Sequence, residues 1–352
     1  MPEPRLMVHA GPTPAGVRLT GRAAGSPEAK AASWRQEEVR AARRGRPLAP
    51  RSASTITATD AIGRQAVIAL HEELALYPKP GLVSRVDSGS HADMDAGTFL
   101  RSLFSLRRYF PAIVRLGAAG RPFADLQACG MTAETRMLRA TGGVNTHRGA
   151  VFLLGLLGAS AGALLASGQS LRASSLRAML LEHWGPALAA HAAVRRDLPG
   201  SIAARQHGLR SAAQEAALGF PVLFERVLPA LEAGLRRGLS PDQARLDALF
   251  AAMAHLDDTN LARRGGRAGL AFARQAARGF LAAGGAGRMG GPQAALALHR
   301  EFVSRRLSPG GAADMLAAAC WLVRIQSPSK GFQPLGGDVA AILREPAAPF
   351  PC

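Results

Sequence analysis

Four groups of polar residues interrupt the apolar segments of this 352-residue chain. In the first group, two prolines stiffen a loop that presents Lys79, and His91, Asp93 and Asp95 follow it. The two aspartates form an Asp-x-Asp pattern, whose carboxylate oxygens are suited to Mg²⁺. The alternative interpretation is that either aspartate simply caps the helix that begins here.

The second group is Thr-Gly-Gly-Val-Asn-Thr-His-Arg-Gly, at residues 141–149. Its two adjacent glycines let the backbone approach a ligand closely, and the polar residues after them open an apolar helix. The free N–H groups and the dipole at a helix start favour anions, and Arg148 adds a bidentate clamp for phosphate. The alternative is that Asn145 or Thr146 only caps the helix, while His147 lies at the surface.

The third group places Asp257 and Asp258 side by side, with Asn260 and Arg264 after them. Adjacent carboxylates repel each other, so a cation, either Mg²⁺ or an arginine, commonly holds them. A solvated turn between two helices would also account for this pattern.

The fourth group follows Ser-Pro-Gly-Gly at residues 308–311 and places Asp314 just inside an apolar helix. A carboxylate in the first turn of a helix ordinarily complements the helix dipole. Asp314 is therefore not included among the predicted site residues.

The composition favours close-packed helices. Hydrophobic residues make up 48% of the chain and charged residues 19%, which is typical of a globular protein. Aromatic residues are only 5%, whereas β-sheets favour aromatic and β-branched residues. We therefore predict an all-α fold with a single compact multi-helix catalytic domain over residues 56–330. A disordered tail rich in Pro, Ala and Arg (1–55) precedes it, and a C-terminal extension (331–352) follows it.

Apolar periodicity and capping residues predict where the helices lie. A first helix begins at the cap pair Thr59 and Asp60 and ends at Pro78. Further helical patterns cover residues 95–108, 123–138, 148–166, 174–193, 206–220, 221–236, 241–253, 267–282, 291–305 and 311–324. The most apolar run, residues 150–166, is shorter than the ~20 residues of a membrane span, so we predict a buried helix at the centre of a bundle.

The net charge of +18, from 43 Lys and Arg against 25 Asp and Glu, would attract nucleotides and other polyanions. No nucleic-acid-binding motif accompanies this charge, so we expect no nucleic-acid partner. The N-terminus lacks the apolar segment of a signal peptide, and we expect no membrane association. These features predict a cytoplasmic protein.

The order of these motifs resembles the triphosphoribosyl-dephospho-CoA synthase family, over residues 61–324. The resemblance rests on Pro78-Lys79-Pro80-Gly81-Leu82-Val83, Ser90-His91-Ala92-Asp93-Met94, Thr141-Gly142-Gly143-Val144-Asn145-Thr146-His147-Arg148-Gly149, Asp258-Thr259-Asn260, Arg264-Gly265-Gly266 and Ser308-Pro309-Gly310-Gly311. The stretch 103–110 favours the branch that serves malonate decarboxylase. One segment departs from the family pattern: an Arg-Gly-x-Arg-Gly-Glu-like run is Arg-Ser-Ala-Ala-Gln-Glu here, at residues 210–215. If the second arginine of that run binds phosphate in the family, Ala213 cannot replace it, and Arg210 or another arginine must do so.

The resemblance implies a reaction in which ATP and 3′-dephospho-CoA give 2′-(5″-triphosphoribosyl)-3′-dephospho-CoA and adenine. The N-glycosidic bond of ATP breaks, while the triphosphate stays intact. The product would be the prosthetic-group precursor for the acyl-carrier subunit of malonate decarboxylase or citrate lyase. It would pass to a phosphoribosyl-dephospho-CoA transferase that acts on an acyl-carrier protein.

The resemblance also implies roles for individual residues, provided that their loops meet in one pocket. A carboxylate must stabilise positive charge at the anomeric carbon or deprotonate the hydroxyl, and another group must assist the departing adenine. The predicted catalytic residues are Asp93, Glu134, His91, His147 and Asp258. The residues predicted to bind substrate or phosphate are Lys79, Ser90, Thr141, Gly142, Gly143, Asn145, Arg148, Asn260 and Arg264. The predicted Mg²⁺ ligands are Asp93, Glu134, Asp257 and Asp258.

Two other classes of function are also compatible with these residues. A helical metal-dependent nucleotide phosphohydrolase also uses His and Asp-Asp clusters, but it would release phosphate and leave adenine attached. A non-catalytic basic nucleic-acid-binding protein would bind with steep salt dependence and would not turn over ATP. Polar residues at glycine-flanked helix starts favour the enzyme, because attraction to a phosphate backbone does not require such placement.

Overall fold

Helices make up all the regular structure in the described part of the chain. The computed structural model describes residues 53–195 and 197–326, and no β-strand occurs within these ranges. The prediction of an all-α fold is therefore confirmed. Nearly all of the predicted tail (1–55) and the whole of the predicted extension (331–352) lie outside the described residues, so both stay predictions.

Loops of differing length join the helices. The helices are α1 (Ala53–Ala75), α2 (Ala96–Leu106), α3 (Tyr109–Ala118), α4 (Phe123–Ala140), α5 (Arg148–Ala166), α6 (Ala173–Ala193), α7 (Pro199–His207), α8 (Ala212–Ala217), α9 (Leu228–Arg236), α10 (Pro241–His255), α11 (Thr259–Ala282), α12 (Gly291–Ser304) and α13 (Gly310–Gln326). A π-helical turn (Leu223–Val227) leads into α9, and a 3₁₀ turn (Gly285–Gly287) lies between α11 and α12.

The first helix begins earlier than predicted. Because α1 starts at Ala53, Thr59 and Asp60 lie inside it and do not cap it. The Asp60 carboxylate instead forms an ion pair with Arg115 of α3. Helix α3 itself was not predicted. It carries Pro111 in its first turn, where a missing backbone N–H group is tolerated.

The segment predicted as one helix over residues 206–220 is broken in two. Gly208 adopts a left-handed conformation (φ 62°) and ends α7. Ser211 then begins α8 through a capping box with Gln214. Apolar residues continue on both sides of this break, so their periodicity alone does not reveal it.

Helix α5 is buried, as the sequence predicted. It packs closely against α3: a Cβ on Gly162 would overlap the carbonyl oxygen of Val114, and one on Gly117 would overlap the carbonyl oxygen of Ala159. Among the described helices, α5 is the one that is long and apolar enough to cross a membrane by these criteria alone. Since 78% of that apolar window is buried inside the protein, packing accounts for its composition.

A buried ion network joins α1 to α10 and α13. Oε1 of Glu72 lies 2.9 Å from the guanidinium group of Arg245 and 2.7 Å from that of Arg324. Burial raises the pKa of Glu72, although both arginines oppose this rise. The network fixes the last turns of α1 against the core, and so it also fixes the backbone of the next residue, Glu73.

The variant Gly162→Ala tests the close approach of α3 and α5. The added methyl group would overlap a backbone atom, so the two helices must move apart. We expect a loss of about 1–3 kcal/mol in the free energy of unfolding, measured by urea denaturation. Gly279→Ala is the matched control, because its Cβ meets nothing within 4 Å. Alanine should stabilise that position by about 0.5–1 kcal/mol, and equal effects in the two variants would contradict the interpretation.

Candidate active site

A cavity of about 360 Å³ lies where several helix ends meet. The starts of α5, α8 and α13, the π-helical turn and the junction of α10 with α11 all contribute to it. Its lining residues are Gly149, Phe152, Leu153, Arg210, Ser211, Ala212, Glu215, Phe220, Pro221, Val222, Glu225, Arg226, His255, Leu256, Asp257, Asp258, Thr259, Gly311, Asp314 and Met315. Its volume falls within the range of small-molecule sites.

Asp258 fixes two walls of this cavity. It is the N-cap of α11, and its Oδ1 accepts the backbone N–H groups of Asn260 at 2.9 Å and Leu261 at 3.3 Å. Its Oδ2 accepts the backbone N–H group of Ala312, in the first turn of α13, at 3.0 Å. Burial raises the pKa of Asp258, while these backbone donors oppose the rise. One carboxylate therefore holds the starts of two helices together.

Asp257 has a different set of partners. Its Oδ2 accepts the backbone N–H group of Arg210 at 2.8 Å, and its Oδ1 pairs with Arg274 of α11. The side chain of Arg210 pairs in turn with the buried Glu215 at 2.7 Å, and Glu215 accepts the backbone N–H group of Val222 at 2.8 Å. The two adjacent aspartates thus avoid mutual repulsion through separate donors rather than through one shared cation.

Asp314 lies in the cavity wall, with its carboxyl group against the first turn of α5. It accepts the backbone N–H group of Ala150, and a Cβ on Gly149 would overlap its Oδ2. Burial raises the pKa of Asp314 well above its usual value, and the nearby carboxylates of Glu73 and Asp258 raise it further. The sequence suggested only a dipole-complementing aspartate here, whereas the structure makes it part of the site.

Lys79 is fully buried and does not reach solvent. Its ammonium group donates to Oε1 and to the backbone oxygen of Glu73, both at 2.6 Å. Burial lowers the pKa of Lys79, and the Glu73 carboxylate opposes this change. The charge of Lys79 is therefore matched inside the protein, while its predicted contact with phosphate stays a prediction.

His147 is buried at the start of α5, so the alternative of a surface histidine is wrong. Its Nδ1 lies 2.6 Å from the hydroxyl group of Ser102 in α2, and its ring packs edge-on against Phe99. Its Nε2 has no hydrogen-bond partner within the described residues. Burial lowers the pKa of His147 to about 3, with the Lys79 ammonium group adding to the effect, so the ring is neutral.

The loops around Lys79, His147 and Asp258 therefore converge. Lys79 contacts Glu73 and lies close enough to His147 to lower its pKa. Glu73 and Asp258 both lie close enough to Asp314 to raise its pKa. These groups therefore lie near one another inside the protein, and of them Asp258 and Asp314 line the cavity.

A second cluster brings His91 together with three other predicted residues, Ser90, Asp93 and Arg264. Its Nε2 lies 2.9 Å from the Ser308 hydroxyl, and its Nδ1 lies 3.0 Å from the guanidinium group of Arg264. Asp93 is mostly exposed and lies 3.5 Å from the same Nδ1, while Arg264 also donates to the backbone oxygen of Ser90 at 3.1 Å. Burial and Arg264 lower the pKa of His91. This cluster does not line the cavity.

The motif between α4 and α5 supplies mostly local contacts. Glu134 forms an ion pair with Arg148, and the side chain of Asn145 accepts the backbone N–H group of Arg148 at 3.1 Å. Thr141 is buried and donates to carbonyl groups of its own turn. The Asn145 side chain thus satisfies the first backbone N–H group of α5, although the N-cap residue is His147. The turn has open space beside its two positive-φ glycines, Gly142 (66°) and Gly143 (90°).

The carboxylates predicted to bind Mg²⁺ do not form one group. Asp93, Glu134, Asp257 and Asp258 each contact different partners. Over residues 53–195 and 197–326, no group of three or more His, Cys, Asp or Glu is placed to hold a metal ion. The predicted set therefore does not fit a protein-built site, and we assign no step to a metal. Asp95 caps α2, which confirms the alternative interpretation of that aspartate as a helix cap.

Six charged or titratable cavity residues were missing from the predicted site: Arg210, Glu215, Glu225, Arg226, His255 and Asp314. Glu215 and Asp314 carry a signal that could have identified them, because each is a lone charge within an apolar helical segment. Arg226 carries no such signal, since arginine recurs throughout the chain.

Comparison with known proteins assigns the chain to a family. A family model described as ATP:dephospho-CoA triphosphoribosyl transferase matches residues 59–332. The chain belongs to this family. Membership confirms the resemblance inferred from the motifs, and it makes the chain an enzyme of the triphosphoribosyl-dephospho-CoA synthase type.

Relatives from three bacteria share this assignment to the triphosphoribosyl transferase family. A protein of Stutzerimonas stutzeri is 40% identical over 277 residues, which cover 76% of this chain and 93% of the relative. One of Vibrio cholerae is 38% identical (74% and 87% covered), and one of Pseudomonas fluorescens is 40% identical (74% and 90% covered). Each is named "Probable 2-(5''-triphosphoribosyl)-3'-dephosphocoenzyme-A synthase". No solved structure matches the chain.

Acidification should destabilise this transferase through His147. Its pKa is about 3 in the folded protein and about 6.5 when unfolded, so between these values the unfolded chain binds more protons. Stability is then fully present above pH ~6.5 and is lost as the pH falls toward 3, by up to ~1.4 kcal/mol per pH unit. Urea denaturation at pH values of about 7 and about 5 measures this slope.

The variant His147→Asn should reduce that slope, because it removes the titrating ring. The matched control is His183→Asn, which replaces an exposed histidine of α6 and should leave the slope unchanged. An unchanged slope in the His147 variant would show that other groups cause the acid sensitivity.

Proposed function

We propose that this chain transfers the 5-triphosphoribosyl group of ATP to the 2′-hydroxyl group of 3′-dephospho-CoA and releases adenine. The observation that carries the proposal is the family match over residues 59–332, a range that contains every residue lining the cavity. In this reaction the hydroxyl oxygen bonds to the anomeric carbon as the bond from that carbon to adenine breaks. The hydroxyl proton ends on adenine, and the triphosphate is untouched.

The side chains of the cavity suit this bond change. Its lining contains the five carboxyl groups of Glu215, Glu225, Asp257, Asp258 and Asp314, against two guanidinium groups. Positive charge develops on the ribose as the base departs, as in glycoside cleavage, and nearby carboxylates stabilise it. Asp258 is the predicted catalytic residue that lines the cavity, so we assign this electrostatic role to Asp258.

The triphosphate needs cations near the cavity. Lys79, Arg148 and Arg264 were predicted for this task, but each is engaged in contacts within the protein. Arg226 lines the cavity, is exposed, and forms no ion pair within the described residues. We therefore assign phosphate binding to Arg226, because Arg210, the other arginine of the lining, is paired with Glu215.

The pathway is part of the same proposal. We place the enzyme in the cytoplasm and in the malonate decarboxylase branch, on the resemblance that the sequence carries. Its product would pass to a phosphoribosyl-dephospho-CoA transferase, which would attach the prosthetic group to an acyl-carrier protein. Comparing malonate decarboxylase and citrate lyase activity in a deletion strain distinguishes the two branches.

The purified chain should release adenine when it is incubated with ATP, Mg²⁺ and 3′-dephospho-CoA. Chromatography measures adenine, and mass spectrometry measures the triphosphoribosyl product in equal amount. Release should stop when 3′-dephospho-CoA is omitted. Formation of inorganic phosphate with adenine retained would overturn the proposal in favour of a phosphohydrolase, and nucleic-acid binding without turnover would favour a binding protein.

The variant Arg226→Ala should raise the KM for ATP by about 10–100-fold and change kcat less. The reason is that one charge-assisted hydrogen bond contributes about 1.5–3 kcal/mol to phosphate binding. Initial rates of adenine release measure both constants. Arg236→Ala is the matched control, because this arginine is 70% exposed and pairs with Glu232 on α9. An unchanged KM in the Arg226 variant would place the phosphates elsewhere.

A further inference from the structure

Asp314 occupies a defined position in the cavity wall. It lies two residues after Ala312, whose backbone N–H group is held by Asp258. Its carboxyl group rests on the start of α5, where Gly149 leaves room for it and the backbone N–H group of Ala150 donates to it. Helix α13 and helix α5 therefore both fix the direction in which this carboxyl group faces.

Three neighbouring carboxyl groups, those of Glu73, Asp258 and Asp314, differ in the groups that stabilise their negative charge. Glu73 has the ammonium group of Lys79 at 2.6 Å. Asp258 accepts backbone N–H groups at both oxygens. Within the part of the chain that the structure describes, Asp314 has one hydrogen-bond donor, Ala150, and lies near the negative charge of the other two. When carboxyl groups share a site in this way, the least stabilised anion is the one that retains a proton.

The other charged groups near Asp314 do not stabilise its anion, so Asp314 remains the carboxyl group that retains the proton. From α1 it faces Glu73, and from the start of α11 it faces Asp258, both negative. Lys79 is already paired with Glu73, and the buried ring of His147 is neutral. Burial of the Asp314 carboxyl group itself acts in the same direction, because it penalises the charged form.

We infer that Asp314 is the catalytic acid that donates a proton to adenine as adenine leaves, an inference that rests on the proposed function. The carboxyl O–H bond breaks and a ring nitrogen of adenine gains the proton. At the same time the electron pair of the glycosidic bond moves to N9. The 2′-hydroxyl group of 3′-dephospho-CoA bonds to the anomeric carbon and gives its proton to the Asp314 carboxylate, which restores the acid. Protons and electrons balance without another reactant.

The variant Asp314→Asn tests this role with two nucleotides. Asparagine has nearly the same shape but cannot act as the acid, so adenine release from ATP should fall by about 10²–10⁴-fold. In N7-methyl-ATP the purine already carries a positive charge and leaves without a proton, and the hydroxyl proton then passes to water. The variant should therefore use N7-methyl-ATP at least ~10-fold faster than ATP.

Asp247→Asn is the matched control. Asp247 is also a buried carboxyl group, but it lies in α10 outside the cavity lining and accepts the backbone N–H group of Ala286 at 2.7 Å. Any loss that it causes should be the same for both nucleotides, because it acts through folding. Circular dichroism establishes that each variant is folded.

A second variant, Gly149→Ala, keeps the acid and displaces it. The added Cβ would overlap Oδ2 of Asp314, so the carboxyl group must turn away. A displacement of this size should lower adenine release from ATP by about 10²-fold, and release from N7-methyl-ATP by much less. This variant provides the test should Asp314→Asn fail to fold.

The outcomes separate this inference from the proposed function. If the wild-type chain releases adenine but Asp314→Asn matches it on ATP, or uses the two nucleotides at equal rates, Asp314 is not the acid. The proposed function then stands. If the wild-type chain releases no adenine from ATP, the proposed function fails first.

Discussion

The carboxylate of Asp258 is the contact on which the geometry of the site depends. Every α-helix begins with backbone N–H groups that lack a partner inside the helix. Asp258 satisfies such groups on α11 and, across 54 residues of sequence, on α13. Because both helices start at the cavity, one side chain sets the distance between two of its walls. Gly311 leaves room for this contact, since a Cβ there would lie 3.1 Å from Oδ2 of Asp258.

The start of α5 forms a third wall of the cavity, and dense packing against α3 holds α5 in place. Small residues allow backbone contact around Ala159 and Gly162, and the Tyr109 hydroxyl of α3 donates to the carbonyl oxygen of Val151 in the first turn of α5. That turn meets Asp314 through Gly149 and Ala150. The helix at the buried centre of the fold thus carries, in its first turn, the backbone donor that holds the carboxyl group in place.

The sequence predicted much of the fold but only part of the site. Helical periodicity located most helices, and polar motifs at glycine-flanked helix starts located Asp258 and His147. The motifs did not show which way a charged side chain faces. Lys79 looked like a phosphate ligand, yet its partner Glu73 is only six residues away and both are buried. Asp314 looked like a first-turn aspartate that complements the helix dipole, because its neighbours come from distant segments of the chain that the local pattern does not contain.

The sequence pattern also failed to predict where a helix is interrupted. Gly208 ends α7 through a single left-handed residue, and apolar residues continue beyond it. The break leaves the backbone N–H group of Arg210 free to bind Asp257, and it separates Arg210 from the helix that carries Glu215. The positions of Arg210 and Asp257 in the cavity therefore depend on the left-handed conformation of Gly208. The spacing of apolar residues does not predict that conformation.

The distribution of charge around the cavity bears on which bond of ATP breaks. Attack at a phosphorus atom requires cations around oxygens that are negative throughout the reaction. Attack at the anomeric carbon instead creates positive charge, which carboxylates stabilise and guanidinium groups oppose. The carboxyl groups of the lining outnumber its arginines, so these side chains favour the ribose side of the nucleotide. Burial raises the pKa of Asp314, and the carboxylates of Glu73 and Asp258 raise it further, which favours the protonated form that the inferred acid requires. The carboxylate of Asp258 thus acts in both parts of the proposed chemistry, beside the ribosyl cation and beside the acid.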